Sequence, residues 1–307
     1  MAARGRKRDQ NPVDGLLLLN KPAGITSNGA LQKVKRLLGV RKAGHTGSLD
    51  PAATGMLPLC FGEATKVCAF LLDADKAYRV VARLGAATDT GDADGTVIRE
   101  ADVPALTADE WRQVLDRFVG NIEQVPPMYS ALKKEGKRLY ELAREGKTVE
   151  REPRPVTIHA ITLLESHANR LVFRVRCSKG TYVRTLVEDI AAAAGTVAFT
   201  ANLHRETVGD FAAKDMISLA DAETLAAEGR EGLVRALLPV DRALDGLDQA
   251  IVSEPEMTRF LNGQAVGPAR VSSGLVRVYG PQSRFLGIAE SGPHGELSPR
   301  RVFHLQG

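Results

Sequence analysis

The apolar positions of the chain follow helical and strand periods in turn. Gly15 to Asn20 is a short apolar run closed by Lys21-Pro22-Ala23-Gly24, the pattern of a buried strand ending in a turn. Ser27 stands where a helix N-cap belongs, Leu31, Val34, Leu37 and Leu38 recur at helical spacing, and Gly39 supplies the stop. Lys33 and Arg36 fall off that apolar face and present positive charge outward. Residues 44–58 carry too much glycine and proline for either regular element and read as a loop. From Ala77 to Gly85 the pattern alternates, with Tyr78, Val80, Ala82 and Leu84 on one face and Arg79, Val81 and Arg83 on the other. Asp94-Gly95 before Thr96-Val97-Ile98 predicts a hairpin. Thr107 to Phe118 predicts a helix capped by Thr107, with Trp111, Leu115 and Phe118 inward.

Residues 121–155 are unlike their neighbours, crowding Lys133, Lys134, Lys137, Arg138, Arg144, Lys147, Arg151 and Arg154 among glutamates. They read as a polar insertion with one short helix near Leu139 to Arg144. Leu171 to Cys177 alternates again, and Val183, Leu186, Val187 and Ile190 then define a helix ended by Gly195. Beyond about residue 250 come short strands, Leu275–Tyr279, Phe285–Ala289 and Val302–Leu305, with glycine and proline turns between them. Strands and helices mix without the regular alternation of a doubly wound sheet. The fold class is therefore α+β, with a small β-barrel module at the C-terminal end. A chain of 307 residues fits about two domains. The expected division is a basic disordered arm over 1–11, a main domain over 12–248 and a terminal module over 249–307.

Charge changes this picture by its distribution. The net charge is +4, but no acidic residue lies between Asp14 and Asp50, where Lys21, Lys33, Lys35, Arg36, Arg41 and Lys42 all fall. The preceding arm adds Arg4, Arg6, Lys7 and Arg8. Such a stretch is the footprint of a polyanion partner, or else a solvated helix face beside a disordered tail. Cys60, Cys68 and Cys177 are odd in number and never in a C-x-x-C pair, and the six histidines lack metal-site spacing, so neither a disulfide framework nor a metal centre is expected. No apolar run reaches the roughly 18 residues of a membrane span. With no signal-peptide core near Met1, the expectation is a cytoplasmic protein.

Phosphate-binding and dinucleotide-binding glycine motifs are missing, and the calcium-loop spacing around Asp92-Ala93-Asp94-Gly95 fails at Thr90 and Ala101. The most informative stretch is Gly44-His45-Thr46-Gly47-Ser48-Leu49-Asp50-Pro51-Ala52-Ala53-Thr54-Gly55. Its glycines and proline shape an irregular backbone that a planar group can approach closely. Asp50 is the only carboxylate between Asp14 and Glu63. By residue type alone it is either a reactive carboxylate or the cap of a turn before Pro51.

This stretch, continued through Met56-Leu57-Pro58, resembles the catalytic motif of the TruB family of tRNA pseudouridine synthases. Further blocks resemble the family in its order: Leu19-Asn20-Lys21-Pro22-Ala23-Gly24, Asp75-Lys76-Ala77-Tyr78-Arg79-Val80 and Thr88-Asp89-Thr90-Gly91-Asp92-Ala93-Asp94-Gly95. Pro126-Pro127-Met128-Tyr129-Ser130-Ala131-Leu132-Lys133 and Cys177-Ser178-Lys179-Gly180-Thr181-Tyr182-Val183-Arg184-Thr185-Leu186 complete the series. The resemblance implies a pseudouridine synthase fold, a central mixed and mostly antiparallel sheet flanked by helices, with a small PUA-like β-barrel at the end. It implies an isomerase that breaks the N-glycosidic bond of a uridine and rejoins the uracil through carbon, with no cofactor and no metal.

The implied catalytic residues are Asp50, as the ionised carboxylate, Arg184, pairing with it, and Tyr78, stacking on the base and placed for C5 proton transfer. The uridine must be flipped out of its loop, and His45 is the implied wedge or stacking partner. Lys21 contacts the RNA backbone or supports the active loop, and Leu203 lines the wall behind the base. Gly47, Leu49, Asp92 and Tyr182, in the same blocks, complete the substrate-binding set. The implied partner is the T-stem loop of tRNA, clasped by the basic insertion through phosphates and sugars. The stand-alone bacterial type, acting on uridine-55, fits the insertion and short tail better than the guide-RNA enzymes do. A monomer is expected. The rival readings are a non-catalytic tRNA-binding protein or RNA chaperone, and a glycoside hydrolase, which needs a second carboxylate such as Asp92 near Asp50.

Overall fold

The structure is a computed structural model that describes residues 12–130, 132–134, 136–269 and 271–305. The expected basic arm over 1–11 lies outside the described residues. The elements run β1 (Gly15–Lys21), α1 (Ser27–Leu37), β2 (Ala43–His45), β3 (Thr54–Phe61), α2 (Cys68–Asp73), β4 (Lys76–Leu84), β5 (Ala86–Thr88), β6 (Val97–Glu100), α3 (Ala108–Asp116) and β7 (Gly120–Gln124). Then come β8 (Lys133–Lys134), β9 (Lys137–Arg138), α4 (Leu139–Arg144), β10 (Arg154–His167), β11 (Arg170–Cys177), α5 (Val183–Ala193), β12 (Ala198–Val208), β13 (Ile217–Ser218), α6 (Leu219–Ala227) and α7 (Arg230–Arg235). The chain closes with β14 (Asp248–Ile251), α8 (Glu254–Leu261), β15 (Gly274–Tyr279), β16 (Phe285–Ser291) and β17 (Leu297–Val302).

One mixed sheet organises the molecule, in the order β13-β1-β3-β12-β4-β11-β10-β7, with β2 added along β3. Only β1–β13 and β12–β3 run parallel; the other pairings are antiparallel. The α+β class and mostly antiparallel sheet expected from the sequence are what the chain forms. Leu16 to Leu19 form a continuous apolar run because β1 is covered on both faces. Leu17 and Leu19 meet α1, α6 and α7, while Leu16 and Leu18 face α2 and the C-terminal strands. Each of these leucines is at most 2% exposed, a burial that contributes about 1.5–3 kcal/mol per side chain. The strand alternation seen in the sequence holds: Tyr78, Val80, Ala82 and Leu84 of β4 join Leu171, Phe173, Val175 and Cys177 of β11 and Leu186, Val187 and Ile190 of α5 in one core.

Three local expectations change. Of the loop expected over 44–58, the part from Thr54 onward belongs to a buried central strand, Thr54–Phe61, in which the Pro58 carbonyl accepts from Thr46 N (3.1 Å). The cap of α1 is Thr26, whose side chain accepts from Gly29 N, and Ser27 is the first helical residue. The last strand is Leu297–Val302, five residues earlier at its start than the expected Val302–Leu305. The terminal strands form a four-stranded sheet, β14-β15-β16-β17. Tyr279, Phe285 and Phe303 of this part pack in the same core as Cys60, Ala64 and Val67, and Lys66 Nζ donates to Val302 O (2.7 Å).

Candidate active site

The loop from Thr46 to Ala53 leaves β2, returns into β3, and is held by groups from four other parts of the chain. The Ser27 hydroxyl accepts from Leu49 N (2.7 Å) and lies 3.0 Å from Leu49 O. Lys21 is fully buried, and its ammonium donates to the carbonyls of Pro22, Ile25 and Pro51 at 2.9, 2.7 and 3.1 Å. Of the two roles the sequence left open for Lys21, the geometry is that of loop support. Burial drops its pKa to about 8, against the pull of Asp50 in the other direction. Gly24 N also donates to Pro51 O (2.9 Å), and Arg205 Nη2 donates to Gly47 O (3.0 Å). Gly47 takes φ +84°, a left-handed conformation that glycine reaches without strain.

Asp50 meets Arg184 at the mouth of this loop. Arg184 Nε lies 3.1 Å from Asp50 Oδ2, and Nη1 lies 3.3 Å from Asp92 Oδ2. The guanidinium also donates to Thr90 O and Tyr129 O, both at 2.7 Å. Arg184 is thus pinned by two carboxylates and two carbonyls, with its side chain 7% exposed, while 44% of the Asp50 side chain remains open to solvent. A fixed cation holding one oxygen of an accessible carboxylate leaves the other face free for a substrate. Desolvation pushes the Asp50 carboxyl above the ordinary carboxylate range, Arg184 pulls it back, and Asp92 pushes it up again.

Asp92 is fully engaged. Its Oδ1 accepts from the Thr90 hydroxyl (2.6 Å) and Asp94 N (3.1 Å), and Thr88 Oγ1 donates to its carbonyl (2.7 Å). Gly91 keeps this turn close to α5: a Cβ there would lie 2.7 Å from Glu188 Oε1. Both oxygens of Asp92 therefore serve the turn and Arg184, which leaves it poorly placed as the second carboxylate of a glycosidase.

Tyr78 lies on the buried face of β4 and pairs in register with Arg205 of β12. Burial raises its phenol above the ordinary value, and the Arg205 guanidinium within its reach works in the opposite direction. Leu203, two residues before Arg205, is half-buried against the same core. Leu49 is itself in that core, 5% exposed. His45 ends β2; burial lowers its pKa first and Arg205 adds to the effect, and its Nδ1 is buried without a hydrogen-bond partner. Tyr182 caps α5, its backbone N–H donating to Gln124 Oε1 (3.0 Å), and burial raises its phenol. Sequence reasoning missed Ser27 as a loop clamp and missed Arg205, which is 1% exposed. The signal for Arg205 was an arginine on the same strand face as Leu203. Among the described residues no group of three or more His, Cys, Asp or Glu could hold a metal ion, and no helix is long and apolar enough to cross a membrane.

Known proteins resemble this chain over nearly its full length. Residues 35–183 match the N-terminal domain of the TruB family pseudouridylate synthases, residues 184–245 the C-terminal domain of tRNA pseudouridylate synthase B, and residues 249–303 the C-terminal part of pseudouridine synthase II TruB. The tRNA pseudouridine synthase B of Dechloromonas aromatica (strain RCB) is 51% identical over 299 residues, covering 97% of this chain and 98% of that one. The protein of the same name from Pseudomonas putida (strain GB-1) is 50% identical over 302 residues, covering 98% and 99%. Among solved structures, the crystal structure of a Cbf5-Nop10-Gar1 complex contains a chain similar over 94% of this one and 85% of that one, with 25% identity and a TM-score of 0.73. With matched segments over most of its length and relatives at half identity, the chain belongs to the TruB family of pseudouridylate synthases.

Proposed function

We propose that the protein isomerises uridine-55 in the T-loop of tRNA to pseudouridine, with Asp50 as the catalytic carboxylate. The observation that carries this reading is the Asp50–Arg184 pair, an accessible carboxylate held through one oxygen by a buried cation. The reaction breaks the bond between uracil N1 and the ribose C1′, turns the base, forms a bond from C5 to C1′, and releases the C5 proton. An ionised Asp50 serves it either by adding to the base or by assisting the departure of uracil at the sugar. Arg184 keeps the carboxylate charged and aimed as RNA displaces water from its open face.

Tyr78 stacks on the flipped base and relays the C5 proton, its neutral phenol passing its own O–H proton on as it takes that one up. His45 and Leu203 fill and wall the space the base passes through, and Tyr182, Gly47 and Leu49 shape the rest of the pocket. Flipping costs a few kcal/mol, which contacts to phosphate and sugar offset. The exposed Lys133, Lys134 and Lys137 of the β8–β9 hairpin and the rest of the insertion supply such contacts. In this reading 12–248 is the catalytic unit, 249–307 is an RNA-binding module, and the enzyme works as a cytoplasmic monomer without a cofactor.

The test is a full-length unmodified tRNA transcript incubated with the protein, then mapped by carbodiimide-dependent reverse-transcription stops. A new stop confined to uridine-55 supports the proposal. A stop at another uridine refutes the position, and no stop anywhere refutes the activity on tRNA.

A further inference from the structure

Among the described residues Arg205 is the largest fully buried side chain, and no ion pair to a carboxylate reaches it. A buried cation without a counter-charge is costly, and an apolar side chain would fill the same space more favourably. Its donors are instead spent on the backbone of the catalytic loop and of the strand that follows it. Nε donates to Met56 O (2.6 Å), just after the loop, and Nη2 to Gly47 O (3.0 Å), just before Asp50. A Cβ on Gly47 would stand 3.6 Å from Nη1, so the loop backbone lies close over the guanidinium. The backbone of Arg205 is placed by its neighbours on both sides, Gly55 in the parallel pairing with β3 and Tyr78 in the antiparallel pairing with β4. A Cβ on Gly55 would come within 2.7 Å of Arg205 N, so glycine is what lets the two strands meet there.

We infer that Arg205 is a positioning residue for the reaction. Its planar guanidinium ties Gly47 in the Asp50 loop to Met56 in β3, and its place opposite Tyr78 across the β4–β12 pairing sets loop and phenol in one rigid frame, so that carboxylate and phenol keep a fixed relation across the base. This rests on the roles proposed above for Asp50 and Tyr78. Lysine cannot replace it, because one ammonium lacks the divergent fork that reaches Gly47 and Met56 together.

The test uses the full chain with a T-arm RNA carrying tritium at uridine C5, whose release to solvent reports the reaction. Wild type, Arg205→Lys and Arg205→Ala are compared in single turnovers at saturating RNA, with RNA affinity and thermal melting measured alongside. Both variants are expected to lose about 10²-fold in saturating rate, the scale of a misplacement near 1 Å, while affinity changes by less than about threefold. Free guanidinium at sub-denaturing concentration restores at least about tenfold to Arg205→Ala and nothing to an Asp50→Asn control. In a Tyr78→Phe background the same substitution costs less, because one of the groups it aligns is gone.

A variant that turns over at the wild-type rate, or that loses only affinity, overturns the inference. So does a loss of folding in both variants, which makes Arg205 a brace of the core alone. Failure of the wild type to release tritium instead sinks the proposed reaction, and this inference with it.

Discussion

Replacing Arg184 by glutamine separates the electrostatic from the steric part of the site. The amide still reaches toward the Thr90 and Tyr129 carbonyls, but the positive charge 3.1 Å from Asp50 Oδ2 is lost. An opposite charge so close favours the ionised carboxylate, and because 44% of the Asp50 side chain is open to water the coupling is screened to about 1 kcal/mol or less. In the native site the cation works against desolvation and Asp92, both of which push Asp50 upward. Without it Asp50 rises further and is protonated over more of the pH range. Because the reaction needs the ionised form, the acid limb of the single-turnover rate moves to higher pH. The deficit is therefore larger at pH 6 than at pH 8.5.

Asp92→Asn provides the opposing control. Removing a negative neighbour that pushes Asp50 up moves the acid limb downward, although the plateau falls because Arg184 loses one anchor. Rates on a T-arm RNA from pH 5 to 9 check both. If Arg184→Gln lowers the rate equally at every pH, or both variants move the limb in the same direction, the electrostatic reasoning is refuted.

Other perturbations read other parts of the site. Tyr78→Phe keeps a buried ring for stacking but removes the hydroxyl, so the saturating rate falls by about 10²–10⁴-fold with affinity little changed, as rapid-quench and binding measurements check. Lys21→Met removes three hydrogen bonds from the carbonyls of Pro22, Ile25 and Pro51; hydrogen exchange is expected to quicken in residues 46–53, with a lower saturating rate. Gly55→Ala forces a side chain against the Arg205 backbone at φ +100° and costs at least about 2 kcal/mol, read as a lower melting temperature. Joint replacement of Lys133, Lys134 and Lys137 by alanine weakens RNA binding and leaves the saturating rate intact. The slope of log affinity against log salt flattens by about 0.7–0.9 for each phosphate these lysines neutralise.

The sequence made the alternating strands and amphipathic helices legible because local period and burial agree there. Tyr78–Leu84 and Leu171–Cys177 are such strands, and Leu139–Arg144 is a short helix found where it was expected. Thr54–Phe61 was hidden because its glycine and proline spoke for a loop, whereas strand pairing from β1, β2 and β12 decides its conformation. At α1 both Thr26 and Ser27 could cap, and the choice fell to Thr26 because Ser27 is drawn inward to Leu49. The Asp50, Arg184 and Asp92 grouping came through the family resemblance, since nothing local links positions so far apart. Arg205 and Ser27 escaped because their partners are backbone atoms, which leave no mark on side-chain pattern.

The most direct test of the central claim is tritium release from a T-arm RNA labelled at uridine C5, comparing wild type with Asp50→Asn at matched RNA occupancy. Asn keeps the size of the side chain and removes the charge that Arg184 holds. Stoichiometric release is expected from the wild type and none above background from the variant, with both binding the RNA. Release by Asp50→Asn at a rate near that of the wild type would contradict the claim, because the isomerisation would then proceed without the carboxylate on which the site is built.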